Sequence, residues 1–534
     1  MLRKLLLVTA FIIGTYGLLY AGWTEPEQVN DGDDELQSIR DTDTPWGIAV
    51  DESGNVHFVF ETNDTETIPA DTQHKLDIHY RVKNYTGDWQ DEVSVTLSET
   101  EHYYLPSNPS LAAYGHPSII LNADNKGLIS YTMDSTPSSP YYKYCEMRTC
   151  EFDPDDFRYY DFMSEKKDNP KKYAMGWPGA HARKTPVMAL DDNGSIYGFW
   201  MYLDTVESVE YYHIYYNVAT YDGEDDEWSW GTEDVVSSQQ LDQTHNDSSI
   251  CALADPAGNI HLITAMREDN EATSVEVYHM WLDGSTWYGP NQVSGDDPDG
   301  TNSVLPYMAF SGDAQSWTLY VVWHDDDGED TDVYFRRKDG QNWDDKLQLS
   351  NSGNAKQPCI ATLSNGDLCV IWQDIIIGTD RWLYYRYYDA SNPSESRWSA
   401  ILKLEDNDEL EELFNATIVS DNSDNFHLAS QGYEDQNENV YYSFLDGPID
   451  LCTYVVGDVN GSDSYNGLDI QYGVNYFKGG SAPLCSGCSP CSEWYYCGDV
   501  NADCTYSALD ITYGVSYFQG GPAPVPCEDC PPAE

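Results

Sequence analysis

Residues 45–60 read PWGIAVDESGNVHFVF, two short apolar segments on either side of a polar turn. Apolar and polar residues alternate in both segments, and β-branched and aromatic side chains are frequent in them. The turn between them contains Asp51, Gly54 and Asn55, residue types that favour tight reversals of the chain. The stretch therefore predicts a β-hairpin with a short, structured turn.

The same pattern recurs along the chain. It begins again at six further positions: His116, Thr185, Ile250, Leu305, Gln357 and Asn415. Each copy is followed by a Tyr-rich segment, and five copies continue through a turn to a Trp and a short outer strand. Four strands a unit in seven units predict a mainly β protein built on a seven-bladed β-propeller. Two stacked β-sandwiches remain the alternative.

The N-terminal end of the repeat region looks like the missing outer strand of its last unit. Residues 23–30 read WTEPEQVN and residues 287–294 read WYGPNQVS, with Trp, Pro, Gln and Val at the same spacing. The seventh unit has three strands and stops at Gly447. We expect residues 23–30 to complete that unit and to remove an exposed sheet edge. The propeller is thereby assigned to residues 23–447.

The charge of the chain restricts its partners. The 534 residues include 91 acidic and 27 basic ones, a formal net charge of −64. Such a surface repels nucleic acid and anionic membranes, so neither is an expected partner. It attracts divalent cations, although solvation of the surface also accounts for most of the acidic residues.

Residues 1–22 read MLRKLLLVTAFIIGTYGLLYAG, a basic start, an apolar run and a small-residue end. This is the pattern of a secretory signal peptide, with a retained membrane anchor as the alternative. The 13 cysteines agree with export, since disulfides persist outside the cytosol. We expect a secreted or cell-surface protein without a membrane segment after cleavage. Cys145 and Cys150 are close enough in sequence to pair, whereas Cys251, Cys359 and Cys369 lie in apolar stretches that favour buried thiols.

The repeat resembles the sialidase-like propellers of secreted bacterial proteins. The resemblance rests on VVWHDD at 321–326, VIWQD at 370–374, DGSTW at 283–287 and DGQNW at 339–343, which resemble the end of an Asp-box turn. It implies carbohydrate as substrate, a clamp of three arginines and a Tyr nucleophile assisted by Glu. None of the arginines weighed as clamp residues stands in the expected Arg-Ile-Pro setting: Arg40, Arg81, Arg267, Arg336, Arg337 and Arg386.

Three tryptophans end the second strands of three units, and each is followed by an aspartate. Indole faces beside carboxylates suit sugar rings, which offer CH faces and hydroxyls. The candidate ligand-binding residues are Trp200, Trp323, Trp372, Asp204, Asp325 and Asp374. Packing between blades is the alternative for the tryptophans. His57, His261 and His427 also share one repeat position, which predicts core positions rather than metal ligands.

A different repeat occupies the end of the chain. GDVNGSDSYNGLD at 457–469 aligns with GDVNADCTYSALD at 498–510. Oxygen-bearing residues recur at the positions that EF-hand loops use to bind Ca²⁺, and an amphipathic segment follows each loop. The candidate ligands are Asp458, Asn460, Ser462, Ser464, Asn466 and Asp469 in the first loop, and Asp499, Asn501, Asp503, Thr505, Ser507 and Asp510 in the second. Two Ca²⁺ sites are expected, and the first should be weaker because Ser462 replaces a carboxylate.

Two such loops in tandem resemble a type I dockerin domain, which gives residues 457–534 as a small α-helical EF-hand-like domain after a linker at 448–456. The resemblance implies Ca²⁺ binding and a cohesin-type scaffold as partner. Asp463 and Cys504 stand where the loop pattern has Gly, which puts the affinity in doubt. The flanking cysteines favour disulfide staples, with Zn²⁺ binding as the alternative.

Together these features predict a secreted, calcium-binding propeller that binds carbohydrate or a surface ligand and is tethered through its dockerin. Two alternatives remain. One is a glycoside hydrolase, sialidase-like enzyme or lyase in polysaccharide degradation, and the other is a structural surface protein.

Overall fold

The computed structural model describes most of the chain from Trp23 onward. The described residues are 23–30, 37–38, 47–63, 76–95, 113–121, 127–134, 145–151, 158–161, 187–206, 209–222, 227–236, 250–267, 274–295, 301–340, 342–375, 380–390, 398–404, 410–434, 437–445, 454–462, 464–484 and 495–526. The predicted signal peptide at 1–22 lies outside them. The described part is mainly β with two α-helices, and no helix in it is both long and apolar enough to cross a membrane.

The strands follow one another along the chain in groups that each form one antiparallel sheet. Strand β1 covers Glu27–Gln28. The next group is β2 (Gln37–Ser38), β3 (Ile48–Val50), β4 (Val56–Asn63), β5 (Leu76–Lys83) and β6 (Val93–Ser94). Then come β7 (Ala113–Leu121), β8 (Gly127–Asp134), β9 (Cys145–Glu151) and β10 (Arg158–Asp161). A third group is β11 (Val187–Leu190), β12 (Ile196–Val206), β13 (Val209–Asp222), β14 (Glu227–Trp230) and β15 (Asp234–Val235).

The second half of the β region continues in the same way. It holds β16 (Ile250–Ala254), β17 (Ile260–Met266), β18 (Glu276–Asp283) and β19 (Thr286–Gln292). These are followed by β20 (Asn302–Asp313), β21 (Ser316–Asp326), β22 (Thr331–Asp339), β23 (Asn342–Trp343) and β24 (Leu347–Gln348). The last two groups are β25 (Lys356–Thr362), β26 (Leu368–Asp374), β27 (Trp382–Tyr388) and β28 (Leu402–Lys403), then β29 (Glu412–Ser420), β30 (Phe426–Glu434) and β31 (Asn437–Leu445).

These strands make seven sheets of four or five strands among the described residues. Most strands pair with their neighbours in the chain, as expected when short turns join them. The exceptions are β1 with β31, β2 with β4, β13 with β15 and β22 with β24. The first strands of neighbouring sheets contact each other, for example β7 with β11, β16 with β20 and β25 with β29, and β29 contacts β3 at the start of the chain. Sheets that follow one another in this cyclic way form a β-propeller.

The sheet that holds the last three strands also contains the first one. Strand β1 pairs antiparallel with β31, with Glu27 opposite Tyr442 and Gln28 opposite Tyr441. The Thr24 N–H donates to the Phe444 carbonyl at 2.8 Å, and the Val29 N–H donates to the Val440 carbonyl at 2.7 Å. Chain segments more than 400 residues apart therefore share one sheet, which is the arrangement expected for residues 23–30.

The core lies between the sheets. Val29 directly after β1, Phe58 from β4 and Tyr442 from β31 are buried in one cluster that joins the first and last sheets. Trp372 belongs to a larger cluster that runs from β20 to β31. Apolar side chains on both faces of each sheet are thus covered by neighbouring sheets, which is why the strands show near-continuous apolar runs.

The turn between β3 and β4 is built around one carboxylate. The Asp51 Oδ1 atom accepts from the N–H groups of Ser53 and Asn55, both at 2.8 Å, and Oδ2 accepts from the Asn55 side chain at 2.7 Å. Gly54 has a φ of +82°, which favours glycine. His57 follows on the next strand, buried, with its Nδ1 atom 2.8 Å from the Tyr80 hydroxyl.

Two later turns repeat this construction, at Asp255–His261 and Asp421–His427. The Nε2 atoms of His261 and His427 lie 3.1 and 3.2 Å from the Oδ2 atoms of Asp255 and Asp421. All three histidines are buried, as predicted for repeat-derived core positions.

The C-terminal loops each lead into a helix of the same length, α1 (Gly467–Phe477) and α2 (Ala508–Phe518). Asn466 and Ser507 cap the helices, and Asp469 and Asp510 accept from the backbone N–H of the capping residue. The predicted apolar face is only partly covered, because Leu468 remains 66% exposed.

The two halves of this region pack against each other through tyrosine and glycine. A Cβ on Gly514 of α2 would lie 2.0 Å from the Tyr465 hydroxyl of the first half. Likewise, a Cβ on Gly473 of α1 would lie 2.3 Å from the Tyr506 hydroxyl of the second half. Because the contact is reciprocal, the duplicated sequence produces a duplicated, pseudo-symmetric structure.

The cysteine predictions have different outcomes in the structure. Cys251, Cys359 and Cys369 are buried and are not disulfide-bonded, as predicted from their apolar surroundings. The suggestion that Cys145 and Cys150 pair is wrong, because both lie on the continuous strand β9. Five residues of strand span roughly 16 Å, whereas a disulfide needs Cα atoms within about 7 Å. Cys485, Cys488, Cys491, Cys527 and Cys530 lie outside the described residues.

Candidate functional sites

The three predicted tryptophans belong to the protein core. Trp200, Trp323 and Trp372 have exposures of 1%, 0% and 0%. Trp200 stacks on Tyr215 and Trp323 stacks on Tyr334 of the next strand, with centroid distances of 6.1 and 6.2 Å. A fully buried ring offers no face to a sugar, so the structure does not support these tryptophans as a ligand-binding surface.

Two of the aspartates that follow them, Asp325 and Asp374, already have hydrogen-bond partners. The Asp325 carboxylate accepts from Ser303 Oγ at 2.6 Å, from Trp323 Nε1 at 2.7 Å and from Lys346 Nζ at 2.5 Å. Ser352 Oγ donates to both oxygens of Asp374 at 2.8 and 2.7 Å. Burial raises the pKa of Asp374. Asp204 lies on β12 opposite Tyr211. Asp325 and Asp374 thus hold strand ends together.

The arginines considered for a carboxylate clamp are used in a similar way. The Nε atoms of Arg81, Arg336 and Arg386 donate to the backbone carbonyls of Gln90, Asp344 and Ser399 at 2.9, 2.6 and 2.7 Å. Their guanidinium groups lie over Trp89, Trp343 and Trp398, respectively. The repeat of one arrangement in three sheets indicates a structural role. Arg40 lies outside the described residues.

A polar cluster at the turn between β30 and β31 has a different character. Glu412, Tyr433 and Glu438 lie directly opposite one another on β29, β30 and β31. Directly opposed residues of antiparallel strands share a face of the sheet, so the three side chains form a row. Arg381, directly before β27 in the neighbouring sheet, reaches this row. We call these four residues the Arg381 cluster.

Charged and hydroxyl groups contact one another within the Arg381 cluster. The Tyr433 hydroxyl donates to Glu438 Oε2 at 3.0 Å. The Arg381 guanidinium donates to Glu412 Oε2, with both Nε and Nη2 at 2.7 Å. It also lies over the Phe414 ring, 3.4 Å from the centroid, and is 5.9 Å from that of Tyr433. One face of the row therefore combines a phenol, two carboxyl groups and a cation.

Burial gives the groups of the Arg381 cluster unequal proton affinities. Burial raises the pKa of Glu438, and the nearby charge of Glu412 adds to this, although Tyr433 and Arg381 oppose it. Burial also raises the pKa of Tyr433, with a contribution from Glu438. Side-chain exposures of 30% for Arg381 and 21% for Glu412 leave the cluster open to solvent. A carboxyl group of high basicity that accepts from a phenol is arranged to take the proton of that phenol.

Sequence reasoning missed all four members of this cluster. Tyr is too frequent, at 42 copies, and acidic residues are too frequent, at 91, for one pair to stand out. Arg381 stands in IGTDRW, which carries no motif. The missing signal was the register of β29, β30 and β31, which alone brings the residues together.

The first C-terminal loop is closed around two buried aspartates. Asp458 and Asp469 are 7% and 1% exposed. The Asn460 side chain donates to Asp469 Oδ1 at 2.5 Å, and the Ser462 N–H donates to Asp458 Oδ1 at 3.0 Å. Burial raises the pKa of Asp469, and Asp458 contributes to this. Ser464 accepts through its hydroxyl and carbonyl oxygens from the Asn466 side chain, both at 3.1 Å.

The second loop brings three carboxylates together. One oxygen each of Asp499, Asp503 and Asp510 lie within 4.8 Å of one another. Burial, followed by the charges of Asp499 and Asp503, raises the pKa of Asp510 to about 6. Asn501 accepts from the Asp503 N–H at 3.0 Å, and Thr505 Oγ1 donates to Asp503 at 2.7 Å.

Ser507 completes that loop by donating its N–H to Asp510 Oδ2 at 2.7 Å. All the grouped donors are hard oxygen atoms, which are the ligands that Ca²⁺ prefers. The second loop therefore fits a divalent cation, and the first offers one carboxylate fewer.

Comparison with known proteins finds similarity at the level of structure. No family model matches the sequence, and no curated protein matches it. The solved structures that resemble it include the Hadza microbial sialidase Hz136, with 12% identity and a TM-score of 0.41 over 70% of this chain and 74% of that chain. The NanB sialidase from Streptococcus pneumoniae has 14% identity and a TM-score of 0.41, covering 80% of this chain and 71% of that chain.

A third similar structure is the GH93 α-L-arabinofuranosidase of Fusarium graminearum, with 12% identity and a TM-score of 0.39. That alignment covers 62% of this chain and 92% of the other. Each identity is below 25% and each TM-score is below 0.5, so these similarities carry no argument about function. The chain is similar to sialidase and arabinofuranosidase structures.

Proposed function

We propose that this protein is a glycoside hydrolase in which the Arg381 cluster is the active site. The observation that carries the proposal is the hydrogen bond from the Tyr433 hydroxyl to Glu438, in a row open to solvent and beside a guanidinium group. Hydrolysis is one of the alternatives that the sequence left open. Carbohydrate binding without cleavage, which the sequence put first, is the competing outcome.

The proposed reaction assigns a role to each member. The Tyr433 oxygen attacks the anomeric carbon as its proton passes to Glu438, and the bond from that carbon to the leaving oxygen breaks while that oxygen takes a proton from solvent. Water then attacks the anomeric carbon and loses a proton to solvent, and the Tyr433 oxygen leaves and recovers its proton from Glu438. Arg381 binds oxygen atoms of the substrate through the N–H groups that do not bond Glu412.

The experiment measures sugar release by the full chain from sialylated, pectic and arabinan substrates. Tyr433→Phe and Glu438→Gln should each lower kcat by at least about a hundredfold, since each removes a partner of the proton transfer. Tyr441→Phe is the matched control, because its hydroxyl also donates to a glutamate, Glu434, at 2.9 Å but lies 1% exposed.

Sugar release that is unchanged in Tyr433→Phe would exclude this site. Absence of release from every substrate, together with saturable binding that Tyr433→Phe weakens, would leave carbohydrate binding as the function of the cluster.

The propeller part of the proposal is a closed ring of seven blades over residues 23–447. It is supported by the seven sheets and by the cyclic order of their contacts.

In the proposal the chain is exported by residues 1–22, and a linker at 448–456 leads to a dockerin-like domain at 457–534 that is stapled by disulfides. The predicted partner of that domain is a cohesin-type scaffold. N-terminal sequencing and intact mass of the exported protein, with and without reductant, test the cleavage and the staples.

Calcium binding by the two C-terminal loops belongs to the same proposal. The grouping of Asp499, Asp503 and Asp510 supports it. So does the sequence, because Lys478 is the one basic residue between Gly457 and Glu534. A bound divalent cation would offset the mutual repulsion of the carboxylates and order the loops.

Isothermal titration of the chelator-treated full chain with CaCl₂ tests this part. We expect two sites of unequal affinity. Asp503→Asn should weaken the tighter site, and Ser462→Asp should strengthen the weaker one because it restores a carboxylate. Affinity should fall as the pH falls through about 6, since protons compete for Asp510. Absence of heat and of any thermal stabilisation by CaCl₂ would contradict the proposal.

A further inference from the structure

A pocket lies at the opposite strand ends from the Arg381 cluster. Its volume is about 330 Å³, within the range of small-molecule sites. It is formed by the turns that join first to second and third to fourth strands, in the sheets β16–β19 and β20–β24. The Arg381 cluster instead lies at a turn between a second and a third strand. The two sites are therefore independent.

Aromatic rings form the walls of this pocket. Trp281 stacks on Tyr288 at a centroid distance of 5.4 Å, which fixes its orientation. Trp317 meets His261 edge-on at 5.2 Å and Phe310 at 5.4 Å. Both indoles are only partly buried and line the open space. Rigid, partly exposed indoles suit the CH faces of a sugar ring.

Both ring nitrogens of His261, which lines the wall of the pocket, already have hydrogen-bond partners. His261 Nε2 lies 3.1 Å from Asp255 Oδ2, and His261 Nδ1 lies 2.8 Å from His279 Nε2. Burial lowers the pKa of His261, although Asp255 opposes this. His261 is thus part of the wall, and the polar groups left for a ligand come from elsewhere.

Lys338 supplies the polar group at the inner end. The residue is 8% exposed, and its ammonium lies over the rings of Trp281 and Trp343 at 5.1 and 5.8 Å. Within the described residues its ammonium has neither a hydrogen-bond acceptor nor a carboxylate partner. Lys338 lines the pocket, so its ammonium can donate to a hydroxyl oxygen of a ligand there.

The outer edge of the pocket is acidic and polar. Asp283 and Asp339 are exposed and line the pocket, as do the side chains of Gln315 and Ser316. With Asp255 at the wall, three aspartates and one lysine line the pocket, and this excess of carboxylates disfavours an anionic ligand. Hydroxyl groups, in contrast, donate to carboxylates and accept from an ammonium.

We propose that this pocket binds an uncharged sugar residue of a glycan, with its ring against Trp281 and Trp317 and its hydroxyls bonded to Lys338 and the two aspartates. The site binds without cleaving. It adds a second point of contact with a carbohydrate chain at the end of the propeller away from Tyr433.

Titration of tryptophan emission in the full chain tests the proposal. The probes are arabinotriose, xylotriose and galactotriose, with trigalacturonate as the charged comparison. At least one neutral trisaccharide should give saturable binding, and Lys338→Met should weaken it at least about tenfold, the effect of a lost charged hydrogen bond. Asp283→Asn, at an exposed position, should weaken it several-fold.

Two control variants localise the effect. Lys403→Met also removes an ammonium that lies over an indole, 3.8 Å from the centroid of Trp382, but in another sheet, and it should leave binding unchanged. Glu438→Gln should also leave it unchanged, which separates this pocket from the proposed active site. Three outcomes would overturn the proposal. They are absence of binding by every neutral probe, preference for trigalacturonate, or an affinity in Lys338→Met and Asp283→Asn that equals that of the wild type.

Discussion

Asp421 holds together a four-residue turn and the strand that follows it. Its carboxylate accepts from the N–H groups of Ser423 and Asn425 at 2.8 and 2.9 Å, from the Asn425 side chain at 2.9 Å and from His427 at 3.2 Å. His427 Nδ1 in turn lies 2.9 Å from the Tyr442 hydroxyl. One aspartate thus connects a turn at the surface with a buried tyrosine near the N-terminal strand.

Asp421→Ala should lower the free energy of unfolding by about 2 kcal/mol, because it leaves several donors without their acceptor. Asp313→Ala is the matched control. Among the described residues, that aspartate accepts from the N–H groups of Gln315 and Ser316 alone, at an exposed turn, and its loss should cost less. Urea denaturation followed by circular dichroism measures both. If both variants lose the same free energy of unfolding, the side-chain bonds of Asp421, including the one to His427, contribute nothing to stability.

The Asp421 contribution should also depend on pH. Burial raises the pKa of Asp421, but the bonds from His427 and Asn425 outweigh it, and the net shift is downward. A lowered carboxyl pKa stabilises the fold above the unfolded-state value of about 4, and this is lost as the pH falls through the folded value. The difference between wild type and Asp421→Ala should therefore narrow below about pH 4.

The paired helices α1 and α2 depend on glycine where helix propensity favours alanine. Gly473 and Gly514 lie inside the two helices, and a Cβ on either would overlap a tyrosine hydroxyl of the other half. Gly467 begins α1, and a Cβ there would meet nothing within 4 Å. In α1, Gly473 is therefore required by the packing against the other half, whereas Gly467 leaves room for a side chain.

Gly514→Ala should destabilise the C-terminal region despite the better helix propensity of alanine, which is worth about 1 kcal/mol. The overlap with Tyr465 must displace the ring or separate the helices, and we expect a net loss on the order of 2 kcal/mol. Gly467→Ala should be neutral or stabilising. Hydrogen exchange of the full chain, read for peptides within 495–526, measures the effect, and equal protection in both variants would contradict this packing.

Closure of the β region depends on a short segment at its beginning. Val29 is 0% exposed, packs in a cluster with Phe58 and Tyr442, and donates its N–H to Val440. Without this segment, β31 would present an unpaired edge, which favours association between molecules. The whole ring is therefore sensitive to eight residues at one end.

Val29→Asp should lower the melting temperature of the main transition by about 10 °C or more, because it buries a charge and detaches β1. It should also cause concentration-dependent association, visible by light scattering. Gln28→Asp, at a half-buried neighbouring position, is the control and should change the melting temperature by a few degrees at most. A small, equal effect of both would show that the sheet does not need β1.

The sequence by itself determined what repeats with a fixed spacing. The hairpin pattern from Pro45 onward, the buried histidines and thiols, and the duplicated C-terminal segments are all local periodicities, and local alternation directly reflects which face of a strand or helix is covered. Helices α1 and α2 follow their loops as their capping residues predict. The sequence also related residues 23–30 to an outer strand, because the same four residue types recur at 287–294.

Only the tertiary structure decided which exposed groups meet. Trp323 and Trp372 fitted a sugar-binding pattern, yet the neighbouring sheets bury them completely. Glu412, Tyr433 and Glu438 had no pattern, yet the register of three strands places them in one row beside Arg381. The pocket at Lys338 similarly joins two sheets. Contacts between distant segments depend on register and on packing between sheets, and no spacing within one repeat contains that information.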